Sequence, residues 1–135
     1  MNVVLVYNPR SGSAPTLTEL RRLCKRHGIA IRAHVAVKDG YRQKLKPHIA
    51  KGQVIVVVGG DGTISSVASM LVGTQAILAP VPGGTLNHFT KDLGISQDLD
   101  GALAALSGAK PRKIDVGSVN DVVFLNNSSL GLYPS

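Results

Sequence analysis

The chain has 135 residues, 44% of them apolar, with a mean hydropathy of +0.16. That is enough to bury one globular core, and it excludes an intrinsically disordered chain. The net charge of +7 is uneven: residues 1–51 carry eleven Lys/Arg against Glu19 and Asp39, a surplus of +9, and the rest of the chain carries four against six Asp, a balance of −2. Such a basic half suits nucleotide phosphates, nucleic acid or an anionic membrane leaflet, or forms the solvated face of two helices. Only three Tyr, two Phe and no Trp leave few stacking platforms, so nucleic acid is not the expected partner.

Val3–Tyr7 reads as a first strand, ending at the turn formers Asn8-Pro9-Arg10-Ser11-Gly12-Ser13. Met1 leads straight into that strand, and the longest strongly apolar run, Val54–Val58, is far short of the roughly 20 residues that span a bilayer. Neither signal peptide nor membrane anchor is expected. A helix from Thr16 to His27 follows, with Leu17, Leu20 and Cys24 at helical spacing and Gly28 closing it. Cys24 has no partner in the chain and reads as a structural, reduced thiol, which fits a cytoplasmic setting.

Ile29–Val37 is a second strand, Tyr41–Ala50 a weaker helix interrupted by Pro47, and Gln53–Val58 a third strand, continuously apolar as strands covered on both faces are. Gly59-Gly60-Asp61-Gly62-Thr63 follows as a loop. Ile64, Val67, Ala68 and Leu71 then mark a helix, Ala76–Pro80 a fourth strand, and Val81–Thr85 the next break. Leu86–Leu93 and Asp98–Leu106 read as helices, Lys113–Val119 as a strand, Asn120-Asp121 as a tight turn and Val122–Ser128 as its partner strand. This alternation predicts an α/β fold: a parallel sheet with helices on both faces, because each parallel connection needs a crossover.

Ligands of such sheets bind beyond the carboxyl ends of the strands. The loops at residues 8–13, 59–63 and 82–87 hold those positions and are rich in glycine and hydroxyl groups. Between a buried strand and a helix, Gly59–Thr63 meets unpaired N–H groups and a positive dipole end, which is where phosphate binds. Thr63 is a candidate cap or phosphate ligand. Asp61 fits beside phosphate as a Mg²⁺ partner or as the acceptor of a proton from an attacking hydroxyl, and the bland alternative is a turn whose Asp caps the following helix. The chain has no Walker A loop, and Ser65 replaces the third glycine of a dinucleotide fingerprint.

Asn8-Pro9-Arg10-Ser11-Gly12, Gly59-Gly60-Asp61-Gly62-Thr63 and Pro82-Gly83-Gly84-Thr85-Leu86-Asn87-His88-Phe89 together resemble the nucleotide motifs of the diacylglycerol kinase catalytic family, which includes sphingosine kinases and bacterial lipid kinases. The resemblance runs from residue 3 to the end of the chain. It implies a three-layer parallel-sheet domain of the NAD kinase/diacylglycerol kinase type, ATP and Mg²⁺ as cofactors, and a lipid hydroxyl as acceptor of the γ-phosphate. It assigns the nucleotide to Asn8, Arg10, Ser11, Gly12, Gly59, Gly60, Asp61, Gly62, Thr63, Gly84, Thr85 and Asn87, with Asp61 catalytic. It also implies a role for Asp115 in a Mg²⁺–water network, beside its reading as a plain strand residue, while the basic half makes peripheral contact with an anionic inner membrane face a further expectation. Since family chains run to about twice this length, residues 1–135 are expected to be the N-terminal part of a two-domain enzyme whose β-rich second domain holds the lipid.

The chain departs from the family where Ser65 and Ser66 replace an Asn–Glu pair after G-D-G-T, and where His88 and Lys91 replace Asp and Arg. His88 is a candidate base, or a structural residue at a helix start. The other readings are a NAD kinase-like phosphotransferase, against which Pro82–Phe89 speaks, and a nucleotide- or lipid-sensing module without turnover.

Overall fold

In the computed structural model of the chain, the described residues are 1–9, 14–84, 86–110, 112–119, 122–125 and 128–132, from 112 onward by backbone alone. The β-branched runs form β1 (Asn2–Tyr7), β2 (Ala30–Ala36), β3 (Val54–Gly59) and β4 (Ile77–Pro82), four parallel strands in the order β2-β1-β3-β4. Val3–Val6 and Ile55–Val57 are fully buried, as strands covered on both faces must be.

The helices that cover them are amphipathic in the expected way. α1 (Leu17–Arg26) buries Leu20, Leu23 and Cys24, and is capped by Thr16, whose Oγ1 accepts the Glu19 N–H at 3.2 Å. The Cys24 thiol is pushed up to about 11 by burial, so it is inert and structural, as its pattern suggested. α2 (Tyr41–Leu45) stops where Pro47 turns the chain into a 3-10 turn, Lys46–His48. α3 (Asp61–Leu71) buries Ile64, Val67, Ala68 and Leu71. α4 (His88–Asp92) is short, and α5 (Leu99–Gly108) is capped by Asp98, whose Oδ2 accepts the Gly101 N–H at 2.9 Å.

β2 lies on one side of β1 and β3 on the other, so right-handed crossovers put α1 on one face of the sheet and α2 and α3 on the opposite face. α5 joins α1 through His27 Nε2 and Asp100 Oδ1, 2.7 Å apart, with Arg26 Nη1 at 3.4 Å. The His27 hydrogen bond, opposed by slight desolvation and helped by Arg26, holds the Asp100 carboxyl below its ordinary value.

Two sequence expectations are corrected. β4 continues past Pro80 to Pro82: its two prolines face away from β3, so their missing N–H groups cost that ladder nothing. Ile77 and Gly83 donate to the carbonyls of Gln53, just before β3, and of Gly59 at its end, both at 2.9 Å, so positions 80 and 82 face the other neighbour, whose described pairing ends at Leu78. Residues 122–128 are not one strand either: β6 (Val122–Leu125) ends, and β7 (Ser128–Leu132) begins separately. β7 lies parallel against β4, β5 (Arg112–Val119) is antiparallel between β7 and β6, and the full order is β2-β1-β3-β4-β7-β5-β6. The turn expected at Asn120-Asp121 lies outside the described residues.

Candidate functional site

The strand order reverses between β1 and β3, and the chains leaving these two strands part toward opposite faces. The crevice at this switch point is flanked by Asn8, just after β1, and by the Gly59–Thr63 segment after β3. Arg10, Ser11 and Gly12 of the first loop, and Thr85 of the third, lie outside the described residues.

Gly59–Thr63 is not a free loop. α3 begins at Asp61, three residues before the start read from periodicity, so Asp61, Gly62 and Thr63 form its first turn. Gly60 occupies the N-cap in extended conformation and supplies no side-chain cap. A helix N-terminus without a side-chain cap presents donors and a positive dipole end to the crevice. Thr63 leans back over Gly59, where an added Cβ would sit 2.9 Å from the Thr63 Cβ.

The third loop is interlocked with the second. β3 and β4 stay paired to Gly59 and Pro82, and the Gly83 N–H still reaches the Gly59 carbonyl. At Gly84 a Cβ would lie 2.6 Å from the Gly60 Cα, so the two loops touch backbone to backbone. Asn87 adopts the left-handed region, φ 53°, and clasps Gly84: its Oδ1 accepts the Gly84 N–H at 3.0 Å, and its Nδ2 donates to the Gly84 carbonyl at 2.9 Å.

Asp61 closes the assembly. Its Oδ2 accepts the His88 N–H at 2.9 Å and its Oδ1 the Phe89 N–H at 2.7 Å. It therefore caps α4, not the helix to which it belongs. Partial burial pushes the carboxyl up, but the N–H groups of Phe89 and His88, with the charges of His88 and Lys91, outweigh this and leave it below the ordinary carboxylate value. His88 itself is exposed, and it is its backbone that meets Asp61.

Beside Gly83, Gly84 and Asn87 opens a cleft of about 460 Å³ that also takes in Glu19 and Gln97. Neither was singled out from sequence: Glu19 counts there only in the charge balance, and Gln97 carries no motif. Gln97 Nε2 donates to the hydroxyl of the buried Thr90 at 3.2 Å and to the Ile95 carbonyl at 3.0 Å, which fixes the chain leaving α4. Asp115 lies in β5, opposite Ser129. Among the described residues no three His, Cys, Asp or Glu gather into a metal cage, and no helix is long and apolar enough to cross a membrane.

The model of the diacylglycerol kinase catalytic domain matches residues 2–119. The chain belongs to that family. It is 33% identical over 132 residues to a "Probable lipid kinase YegS-like" of Klebsiella pneumoniae (strain 342), covering 95% of this chain and 44% of that protein. A protein of the same name from Pseudomonas putida is 47% identical over 79 residues, 57% of this chain and 26% of its own. The crystal structure of a diacylglycerol kinase from Bacillus anthracis str. Sterne superposes with a TM-score of 0.65 at 25% identity, over 91% of this chain and 44% of that one. This chain thus spans less than half the length of these relatives, and it shares their α/β architecture.

Proposed function

We propose that the chain is the nucleotide-holding part of an ATP-dependent lipid kinase that transfers the γ-phosphate to a hydroxyl of diacylglycerol or a related lipid. The observation that carries this reading is the interlock of the second and third motifs around the α3 N-terminus, which presents backbone donors where phosphate would lie. In this proposal Asn8, Arg10, Ser11 and Gly12 close the site from β1, and Gly60, Gly62 and Thr63 meet the phosphates. Gly59, Gly84 and Asn87 shape the loops, with Thr85 completing the pocket.

Asp61 acts here by position. A carboxylate with a depressed pKa is a weak proton acceptor, and both its oxygens already hold N–H groups. Each oxygen keeps a second lone pair, so Asp61 fits as the single protein carboxylate on a Mg²⁺ otherwise held by ATP phosphates and water, a coordination that needs no cage. That ion would neutralise charge on the transferred phosphoryl group. The acceptor lipid would be held by sequence beyond this chain, as its 44% share of the Klebsiella relative suggests.

Gly62 supplies the test. It has no positive φ, and an added Cβ there would meet nothing within 4 Å, so the fold does not require glycine at this position. A phosphate approaching the backbone does. Gly62→Ala is expected to leave the melting temperature equal or higher while weakening ATP binding, measured by calorimetry with Mg²⁺, by about tenfold, the scale of one lost close contact. Undiminished ATP affinity in the variant would remove the α3 N-terminus from the nucleotide site.

A further inference from the structure

Three of the eleven cations of residues 1–51 line one feature that the nucleotide loops do not use. An open groove of about 640 Å³ runs between α2 with its 3-10 turn and α3, and Lys38, Arg42 and Lys46 stand along it. All three are exposed, whereas Ile49 and Met70, half-buried against the core, give it an apolar floor. Asp39 is the only acid among the lining residues, which leaves the groove at +2.

Arg42 is anchored without being neutralised. Its Nη1 donates to Ser66 Oγ at 3.0 Å, and the same hydroxyl is hydrogen-bonded to the Tyr41 hydroxyl. A guanidinium held by a neutral partner keeps its whole charge and its remaining N–H donors. None of the three cations forms an ion pair among the described residues, where the acid so engaged is Asp100. The β2–α2 connection leaves the sheet at the carboxyl ends of the strands, so the groove opens from the edge that carries the nucleotide loops.

We propose that this groove docks the phosphate-bearing headgroup of an anionic phospholipid at a membrane surface. Inorganic phosphate would satisfy the cations but leave Ile49 and Met70 uncovered. Nucleic acid would call for a series of stacking rings, and Tyr41 is the groove's one aromatic lining residue, with its hydroxyl engaged. An anionic leaflet offers phosphate and apolar surface together.

The test is sedimentation of the protein with vesicles of phosphatidylcholine, with and without phosphatidylglycerol, in the absence of ATP, so that its outcome is independent of the kinase reading. The variant Lys38→Gln/Arg42→Gln/Lys46→Gln is compared with Arg21→Gln/Arg22→Gln/Lys25→Gln, which removes the same charge from the exposed side of α1. Phosphatidylglycerol-dependent binding is expected to fall about a hundredfold in the first and less than about threefold in the second, since each cation seated at an anionic surface contributes roughly a factor of five. Ser66→Glu, which sets a carboxylate against Arg42 while removing no cation, is expected to weaken binding several-fold. Equal losses in both triple variants would mean diffuse charge and overturn the proposal, as would absent vesicle binding. Saturable capture of inorganic phosphate with vesicle binding unaffected by the first variant would assign the groove to a free anion, and overturn it too.

Discussion

Asp61 accepts two backbone N–H groups in the fold, and the proposed function gives it a second part beside Mg²⁺. Asp61→Ala removes the acceptor of two backbone N–H groups at the start of α4, and should destabilise the chain by about 1–2 kcal/mol in a denaturant titration, the range of a lost helix cap. Because its folded-state pKa lies below the ordinary value, this contribution is present above the unfolded carboxylate pKa and is lost as pH falls through the folded one. The gap between wild type and variant should therefore be constant near neutrality and close only below about pH 4. Unchanged stability in Asp61→Ala would show that this cap contributes nothing to the fold. Gly84→Ala should be worse, at about 2–3 kcal/mol, since its Cβ would meet Gly60 backbone that has nowhere to move. In the sequence the motif glycines look alike. Only the structure separates Gly84, which packing requires, from Gly62, which it does not.

At the scale of elements, the strands β1 to β4 were legible because fully covered parallel strands write themselves as β-branched runs. The start of α3 was not, because Asp61-Gly62-Thr63 has turn composition and its helical state depends on contacts with Phe89 and Gly84, some 25 residues away in sequence. A strand was legible from Val122 to Ser128, but β7 beyond its first residue was not, and alternation names a strand without naming its neighbour, so neither was the placing of β7 beside β4. Thr16, read from sequence as the first helical residue, instead caps α1 through wholly local geometry. Thr16→Ala should cost about 1 kcal/mol, read from the shift in denaturation midpoint at constant slope.

For the whole molecule, one buried cluster runs from Val3 to Leu106 and includes side chains from both faces of the sheet, so residues 1–135 should unfold in a single cooperative transition. Under the proposed function they should bind Mg²⁺–ATP but not phosphorylate diacylglycerol, because transfer requires both substrates in line. Turnover by this chain at the rate of a protein extending beyond Ser135, in the same Mg²⁺, ATP and lipid, would show that the acceptor site is already complete here.

The contact between Gly60 and Gly84 has a meaning for inheritance as well as for binding. Two loops joined where no side chain fits cannot be altered one at a time, so the interlocked loops are transferable only as the contiguous block from Val54 to Asp92, two strands with the helices that follow them. Grafted alone onto another parallel sheet, G-G-D-G-T would be a helix start with its aspartate facing nothing, whereas the whole block would carry its own clasp.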